Sequence, residues 1–415
     1  MHDAEALPVP THEPAAGEDR ARAAPGGPRG SRDPAAGEPL NGLGAVEDPV
    51  AALHAPLPAD PHDALVAVRR RTRALVAGLT VEQLERQVSP LMSPLVWDLA
   101  HIAAYEDLWL VHRHGQRPLL HPELAAVYDA FETPRTVRGD IELLDVAAAW
   151  EYLAEVRSRV EQVVAERGVD PELHEMVLQH EMQHTETMLQ AMRLGALAPW
   201  LDALPGDGDA SATGVELLDL PGGSGLLGAP AGVFSYDNER PRHERALAAF
   251  RIARRPLTVA LWRSFAAEAD GDRRWWSDEG WAWRARRDGP AGPPPDARDA
   301  DVACHLSWFE AQALAAWQGL RLPSEHEWEH AAASGVLDDV GRVWEWTATT
   351  FAGYPGFEAH PYREYSEVFF DRGYRVLRGG SFAAHPRVAT TTFRNWDLPE
   401  RQQIFAGVRL AGDAA

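Results

Sequence analysis

Cysteine is almost absent: Cys304 is the single one in 415 residues. No disulfide framework can form within the chain, and a cysteine-rich zinc site is excluded. A lone thiol of this kind reads as a small buried hydrophobe. Positive charge is also scarce. Lys and Arg number 40 against 62 Asp and Glu, a formal net charge of −22, which argues against nucleic acid or an anionic membrane surface as a partner. No apolar run reaches the roughly 18 residues needed to suggest a membrane span. The N-terminal stretch lacks a basic start followed by an apolar core, so no secretory leader is expected and the chain reads as cytoplasmic.

What is present is ample for a core: 45% of residues are hydrophobic, and 415 residues suggest two domains. Residues 1–58 are rich in Ala, Pro, Gly and Asp and read as a disordered tail. From residue 59 to 200 the pattern is helical. Ala64 to Ala77 has apolar positions at helical spacing, and Thr80 with Gln83 offers a capping box for a helix after it. Ser93-Pro94 precedes a helix in which Trp97, Ala100, His101, Ala104 and Leu108 form one stripe. Helices over Leu144 to Arg167 and Pro171 to Leu194 complete an up-down bundle, whose interior is a common place for metal sites. Residues 201–214 read as a linker and 215–415 as an irregular α+β domain. Strands are expected there at Val215 to Leu218, Gly232 to Tyr236 and Ala246 to Ala253, with helices from Ser307 to Gln318 and Pro323 to Ala333. Most of the 15 tryptophans fall after residue 250.

His180-Glu181-Met182-Gln183-His184 puts two imidazoles one helical turn apart on one face, within reach of one metal ion. Three readings stand side by side: incidental histidines, an H-E-x-x-H zinc hydrolase with Glu181 as general base, and a non-haem metal site completed from elsewhere. The continuation expected of a metzincin is missing, because Thr187 and Gln190 stand where it would have Gly and His.

Several ordered motifs then carry a resemblance. Arg321-Leu322-Pro323-Ser324-Glu325-His326-Glu327-Trp328-Glu329, Val343-Trp344-Glu345-Trp346-Thr347, Leu377-Arg378-Gly379-Gly380-Ser381, Phe393-Arg394-Asn395 and Gly407-Val408-Arg409-Leu410 resemble the sulfatase-modifying-factor domain, a C-type-lectin-like fold also found in formylglycine-generating enzymes. The helical half looks like a DinB-type four-helix bundle. Together with Ser93 to Ile102 and Thr392 to Asp397 the chain resembles the EgtB family, the iron-dependent sulfoxide synthases of ergothioneine biosynthesis.

That resemblance implies an α+β multidomain protein with Fe(II) held by His101, His180 and His184, and hercynine, γ-glutamylcysteine and O2 as substrates. It implies hercynine contacts at Gln183, Asn395 and Trp396, where an indole face suits a quaternary ammonium. Arg135 and Arg138 would hold the dipeptide carboxylates, and Asp397 its ammonium. Tyr362 would be the catalytic acid with Tyr365 in support, and Glu186 a structural or supporting residue. A monomer is expected. The alternatives are a related synthase using another thiol or a selenium donor, a DinB-type zinc hydrolase or thiol transferase, and a non-catalytic lectin-like module. No formylglycine-type copper site is expected, since it needs paired cysteines.

Overall fold

The computed structural model describes residues 48–203, 214–287 and 292–414. The described residues form one compact unit. Its first part is helical: α1 (Pro49–Leu53), α2 (Pro61–Val76), α3 (Val81–Glu85), α4 (Leu95–Glu106), α5 (Val146–Arg167) and α6 (Pro171–Leu194). Local chemistry sets the ends. Asp60 and Asp170 accept from backbone N–H groups at the starts of α2 and α6, each with proline at the first helical position. The Thr80–Gln83 capping box forms as expected. After α4 the helix widens into a π-helical stretch, Asp107–His114, a geometry often kept where function needs a side chain re-aimed.

Leu65, Val68, Leu99, Ala103, Leu153, Val156, Leu178 and Leu189 fill the bundle and are all but inaccessible. A buried ionic network crosses it. Arg69 on α2 donates to Glu181 on α6 and Glu106 on α4, both at 2.9 Å. Arg157 on α5 donates to Glu106 at 2.6 Å, and Thr72 to Glu181 at 2.6 Å. Four helices are thereby tied in one register.

The expected disordered tail over 1–58 is corrected at its end. Residues 1–47 lie outside the described residues, but Pro49–Leu53 is helical and Leu53 is buried. The carbonyls of Leu53, Ala55, Pro58 and Ala59 accept from Arg71, His385 and Arg387, which holds this segment on the protein. Of the expected linker over 201–214, residues 204–213 are likewise outside the described residues.

The second part mixes short strands and helices. β1 (Leu217–Leu220), β2 (Gly223–Leu227), β3 (His243–Leu247) and β4 (Phe250–Ala253) are followed by α7 (Val259–Glu268), α8 (Asp278–Arg286), α9 (Trp308–Trp317) and α10 (Glu325–Ala333). Then come β5 (Trp344–Thr350), β6 (Arg375–Arg378), β7 (Asn395–Asp397), β8 (Ala406–Gly407) and β9 (Ala411–Asp413). The sheets run β1-β4-β9, β2-β3 and β7-β6-β5-β8, with β5 and β8 parallel. Two strand expectations change. Gly232 to Tyr236 is a turn and loop, with Gly232 at φ +84°, and Ala246 to Ala253 is split between β3 and β4. Helices α7 and α8 were not foreseen; Thr258 and Ser277 start them as N-caps.

The two parts are joined by polar contacts that bury their partners. Glu186 on α6 accepts from Trp344 Nε1 at 2.7 Å and Ser381 Oγ at 2.6 Å. Arg387 pairs with Glu175 on α6, and Arg71 donates to the Ala383 carbonyl.

Arg69→Met should lower stability by about 3–5 kcal/mol, because two buried carboxylates lose a shared cation; denaturant unfolding followed by circular dichroism measures it. The sign of the acid response follows from Glu106. Burial alone raises its carboxyl, but Arg157 and Arg69 outweigh that and hold it below the usual range. A depressed carboxyl stabilises above its unfolded value, and that contribution is lost as pH falls through the folded value. Glu106→Gln should therefore flatten the wild-type loss of stability below about pH 4, read from melting temperatures across pH.

Candidate metal centre and its aromatic wall

His101 from α4 and His180 and His184 from α6 bring one ring nitrogen each to within 4.8 Å of one another. No other group of three or more His, Cys, Asp or Glu side chains among the described residues is gathered this way. The tautomers follow from the outer partners. His101 Nδ1 lies 2.6 Å from the Tyr128 carbonyl. A carbonyl only accepts, so Nδ1 carries the proton and Nε2 a lone pair. His184 Nδ1 is 3.0 Å from Asp98 Oδ1, which fixes that ring in the same sense. Metal-binding histidines are held this way, by a carbonyl or carboxylate on the far nitrogen.

The donor set fits an ion. His101 Nε2 faces His180 Nε2 at 3.1 Å, close to the ~3.0 Å between two nitrogens bound at a right angle with bonds of about 2.1 Å. Burial first, then the neighbouring imidazoles, push His101 and His180 well below the usual histidine range. Neutral rings are what a metal requires. Two of the three rings are packed from behind: Trp97 stacks on His101 with centroids 4.8 Å apart, and Tyr105 stacks on His180 at 3.6 Å and 7°.

Glu181 does not face this centre. Its carboxylate is taken by Arg69 and Thr72, so it cannot serve as the general base of an H-E-x-x-H hydrolase. Cys304 is buried and its thiol is pushed up to about 12 by burial, in keeping with the inert role expected of it.

The other candidate residues line the side toward the second part. Gln183 Nε2 donates to Tyr236 Oη at 2.8 Å. Tyr236 stacks on Tyr365 at 4.0 Å and 9°, and a Gln183 hydrogen bond also acts on Tyr365. With its Nε2 turned to a phenol, Gln183 has a carbonyl oxygen that can serve as an acceptor. Tyr365 meets Trp396 edge-on at 5.7 Å, and Trp396 stacks on Phe351 at 4.2 Å. Asn395 is half-buried on β7 beside it, its Oδ1 accepting from Trp396 N. Tyr362 Oη is 3.0 Å from Tyr105 Oη, and its ring lies 5.1 Å from Trp109 of the π-helical stretch. Burial raises the phenols of Tyr362, Tyr365, Tyr105 and Tyr236 above their ordinary value; all four hold their protons.

The two arginines differ. Arg135 is half-buried, with one long contact of 3.5 Å to the Leu91 carbonyl. Its charge reaches Asp397, whose carboxyl is raised by burial and opposed by Arg401 and Arg135. Arg401 is 3.5 Å from Asp397. Arg138 is buried, 3.3 Å above the Trp97 ring, and donates to the Thr133 carbonyl, Ser93 Oγ and the Ala130 carbonyl. Of the five N–H groups of a guanidinium, that leaves two for anything else. Arg138 therefore braces Trp97 and His101 from behind, while Arg135 is the more open cation.

The sequence reading does not single out Asp98, Tyr105 or Tyr236. Asp98 and Tyr105 stand at −3 and +4 from His101 on α4, so helical spacing could have found them. Tyr236 sits in a loop, with no periodic signal.

Residues 64–188 match the DinB superfamily, and residues 207–339 and 332–414 match the sulfatase-modifying factor enzyme 1-like domain. A hercynine oxygenase of Mycolicibacterium thermoresistibile is 39% identical, over 84% of this chain and 94% of its own length. One from Mycobacterium tuberculosis is 39% identical, over 84% of this chain and 97% of its own. A formylglycine-generating enzyme of Streptomyces coelicolor is 29% identical over 37% of this chain. The similarity to the oxygenases runs through both the helical and the mixed part, and on that extent the chain belongs to the hercynine oxygenase family.

Proposed function

We propose that the protein uses Fe(II) and O2 to join hercynine to γ-glutamylcysteine, giving γ-glutamylhercynylcysteine S-oxide in ergothioneine biosynthesis. The observation that carries this is the meeting of three clustered imidazoles, two of them fixed in tautomer by outer partners, with a wall of protonated phenols. In this reading His101, His180 and His184 hold the iron, which supplies the one-electron redox chemistry that closed-shell thiol and imidazole lack toward O2. The balance closes. The imidazole C–H and the thiol S–H break, a C–S and an S–O bond form, and four electrons pass to O2. Its second oxygen leaves as water with the two released hydrogens.

The chain's own residues then have separate tasks. Gln183 accepts from the imidazole N–H of hercynine through its carbonyl oxygen, and Tyr236 and Tyr365 keep the amide from turning. Asn395 and Trp396 hold the betaine end, the indole by cation–π attraction. Arg135 pairs with a carboxylate of the dipeptide, with Arg138 contributing at most its two spare N–H groups. Asp397 takes the dipeptide ammonium. Tyr362 holds a proton at Oη for delivery into the pocket, and Tyr365 supports it. The occupied carboxylate of Glu181 speaks against the zinc-hydrolase alternative.

Anaerobic Fe(II) loading, then hercynine with γ-glutamylcysteine or cysteine and O2, should give the sulfoxide by mass spectrometry, with the dipeptide preferred. No sulfoxide with either thiol sinks the proposal. Asp98→Asn should weaken metal binding by roughly 10–100-fold through loss of the anchor on His184, measured by competition with a chelator. Tyr362→Phe should shift turnover from C–S coupling toward oxidation of the thiol alone; unchanged product ratios would remove Tyr362 from the acid role.

A further inference from the structure

Tyr105 lies one helical turn beyond His101 on α4, its ring flat against His180. Its hydroxyl is 3.0 Å from that of Tyr362. Between two hydroxyls so placed, one donates and the other accepts. A phenol that delivers its proton into the pocket cannot also spend that proton on a neighbour. When Tyr362 points its O–H at substrate, Tyr105 must be the donor and Tyr362 the acceptor. A hydrogen bond to an oxygen that gains negative charge is about twice as strong as a neutral one. The contact therefore strengthens as Tyr362 loses its proton.

We propose that Tyr105 is a positioning residue for Tyr362. Its hydroxyl donates to Tyr362 Oη, turns that phenol's proton toward the pocket of His101, His180 and His184, and steadies the phenolate left behind. Tyr362 regains a proton as the imidazole C–H breaks, so the pair is restored each turnover. Trp109, packed on the Tyr362 ring from the π-helical stretch, holds the phenol at the height where the two hydroxyls meet. This inference rests on the proposed function, in which Tyr362 is the acid.

Tyr105→Phe keeps the ring on His180 and removes only the hydroxyl. The test uses the full chain loaded with Fe(II) and supplied with hercynine, γ-glutamylcysteine and O2, with sulfoxide and oxidised thiol quantified together. In parallel, Co(II) binding to the apo-protein reports on the imidazole pocket independently of turnover. The expected result is a sulfoxide-to-oxidised-thiol ratio lowered about tenfold, with Co(II) affinity and absorption spectrum unchanged. The double variant with Tyr362→Phe should be no worse than Tyr362→Phe alone, since both changes act on one proton. A wild-type product ratio in Tyr105→Phe overturns the inference. So does a loss of Co(II) affinity, which would make the hydroxyl a support of the pocket instead. Absence of sulfoxide from the wild-type protein is a different readout: it overturns the proposed function and this inference with it.

Discussion

Three imidazole nitrogens can face one point only if the opposite nitrogen of each ring is kept out of the way. In this protein that constraint organises the helical part. Tyr128 gives its carbonyl to His101, and Asp98 gives its carboxylate to His184. Each is placed by backbone that is itself fixed: Asp98 by the helix that carries His101, Tyr128 by the loop that Thr133 and Arg138 hold down. The buried Arg69, Glu106, Arg157 and Glu181 network then fixes how far α6 stands from α4. A shift of that register would move His180 relative to His101, and their 3.1 Å approach leaves little room for it.

The second part does a different job. It adds no nitrogen to the centre but closes one side with aromatic rings: Tyr236, Tyr365, Tyr362 and Trp396. Its attachment to α6 is made by Glu186, two residues past His184, which accepts from Trp344 and Ser381. Thus one helix carries two ring nitrogens, one wall contact at Gln183 and the joint to the other part. The centre and its aromatic neighbours are shared between two folds but referenced to a single helix.

Much of this was legible in the sequence because it is periodic or motif-borne. Helix α6 follows its bounds to the residue, since Asp170-Pro171 and Gly195 mark its ends without tertiary help. The histidine pair followed from i, i+4 spacing, and its partner His101 from the resemblance alone. What spacing could not give was the destination of side chains. Glu181 sits in a sequence that suggests a general base, yet its carboxylate turns to Arg69, a residue 112 positions earlier. Arg138 looks equivalent to Arg135, yet one is folded over Trp97 and the other is open. Tyr236 was read as the end of a strand, and only the loop's path brings it to Gln183. Residues 49–58 read as disordered because the tail is rich in Ala, Pro, Gly and Asp with few aromatic or β-branched residues; their order comes from carbonyls captured by Arg71, His385 and Arg387, which no local pattern encodes.

The charge of the donor set is the last constraint to follow from the geometry. A site with two histidines and one carboxylate cancels part of a divalent ion's charge, whereas three neutral imidazoles cancel none of it. The carboxylates around it have other partners: Asp98 meets His184 through Oδ1, Glu181 meets Arg69, and Glu186 meets Trp344 and Ser381. The surrounding wall offers phenols that burial keeps protonated, so it adds no negative charge either. With a divalent ion held by the three rings, its uncancelled charge would favour an anionic ligand over a cationic one. A cationic group would then be better placed away from that centre. An aromatic face lies farther out at Trp396, stacked on Phe351 beyond Tyr365. The imidazole cluster and the indole rim are thus two chemically distinct surfaces, one built to hold a cation and the other apolar, held apart by Tyr365.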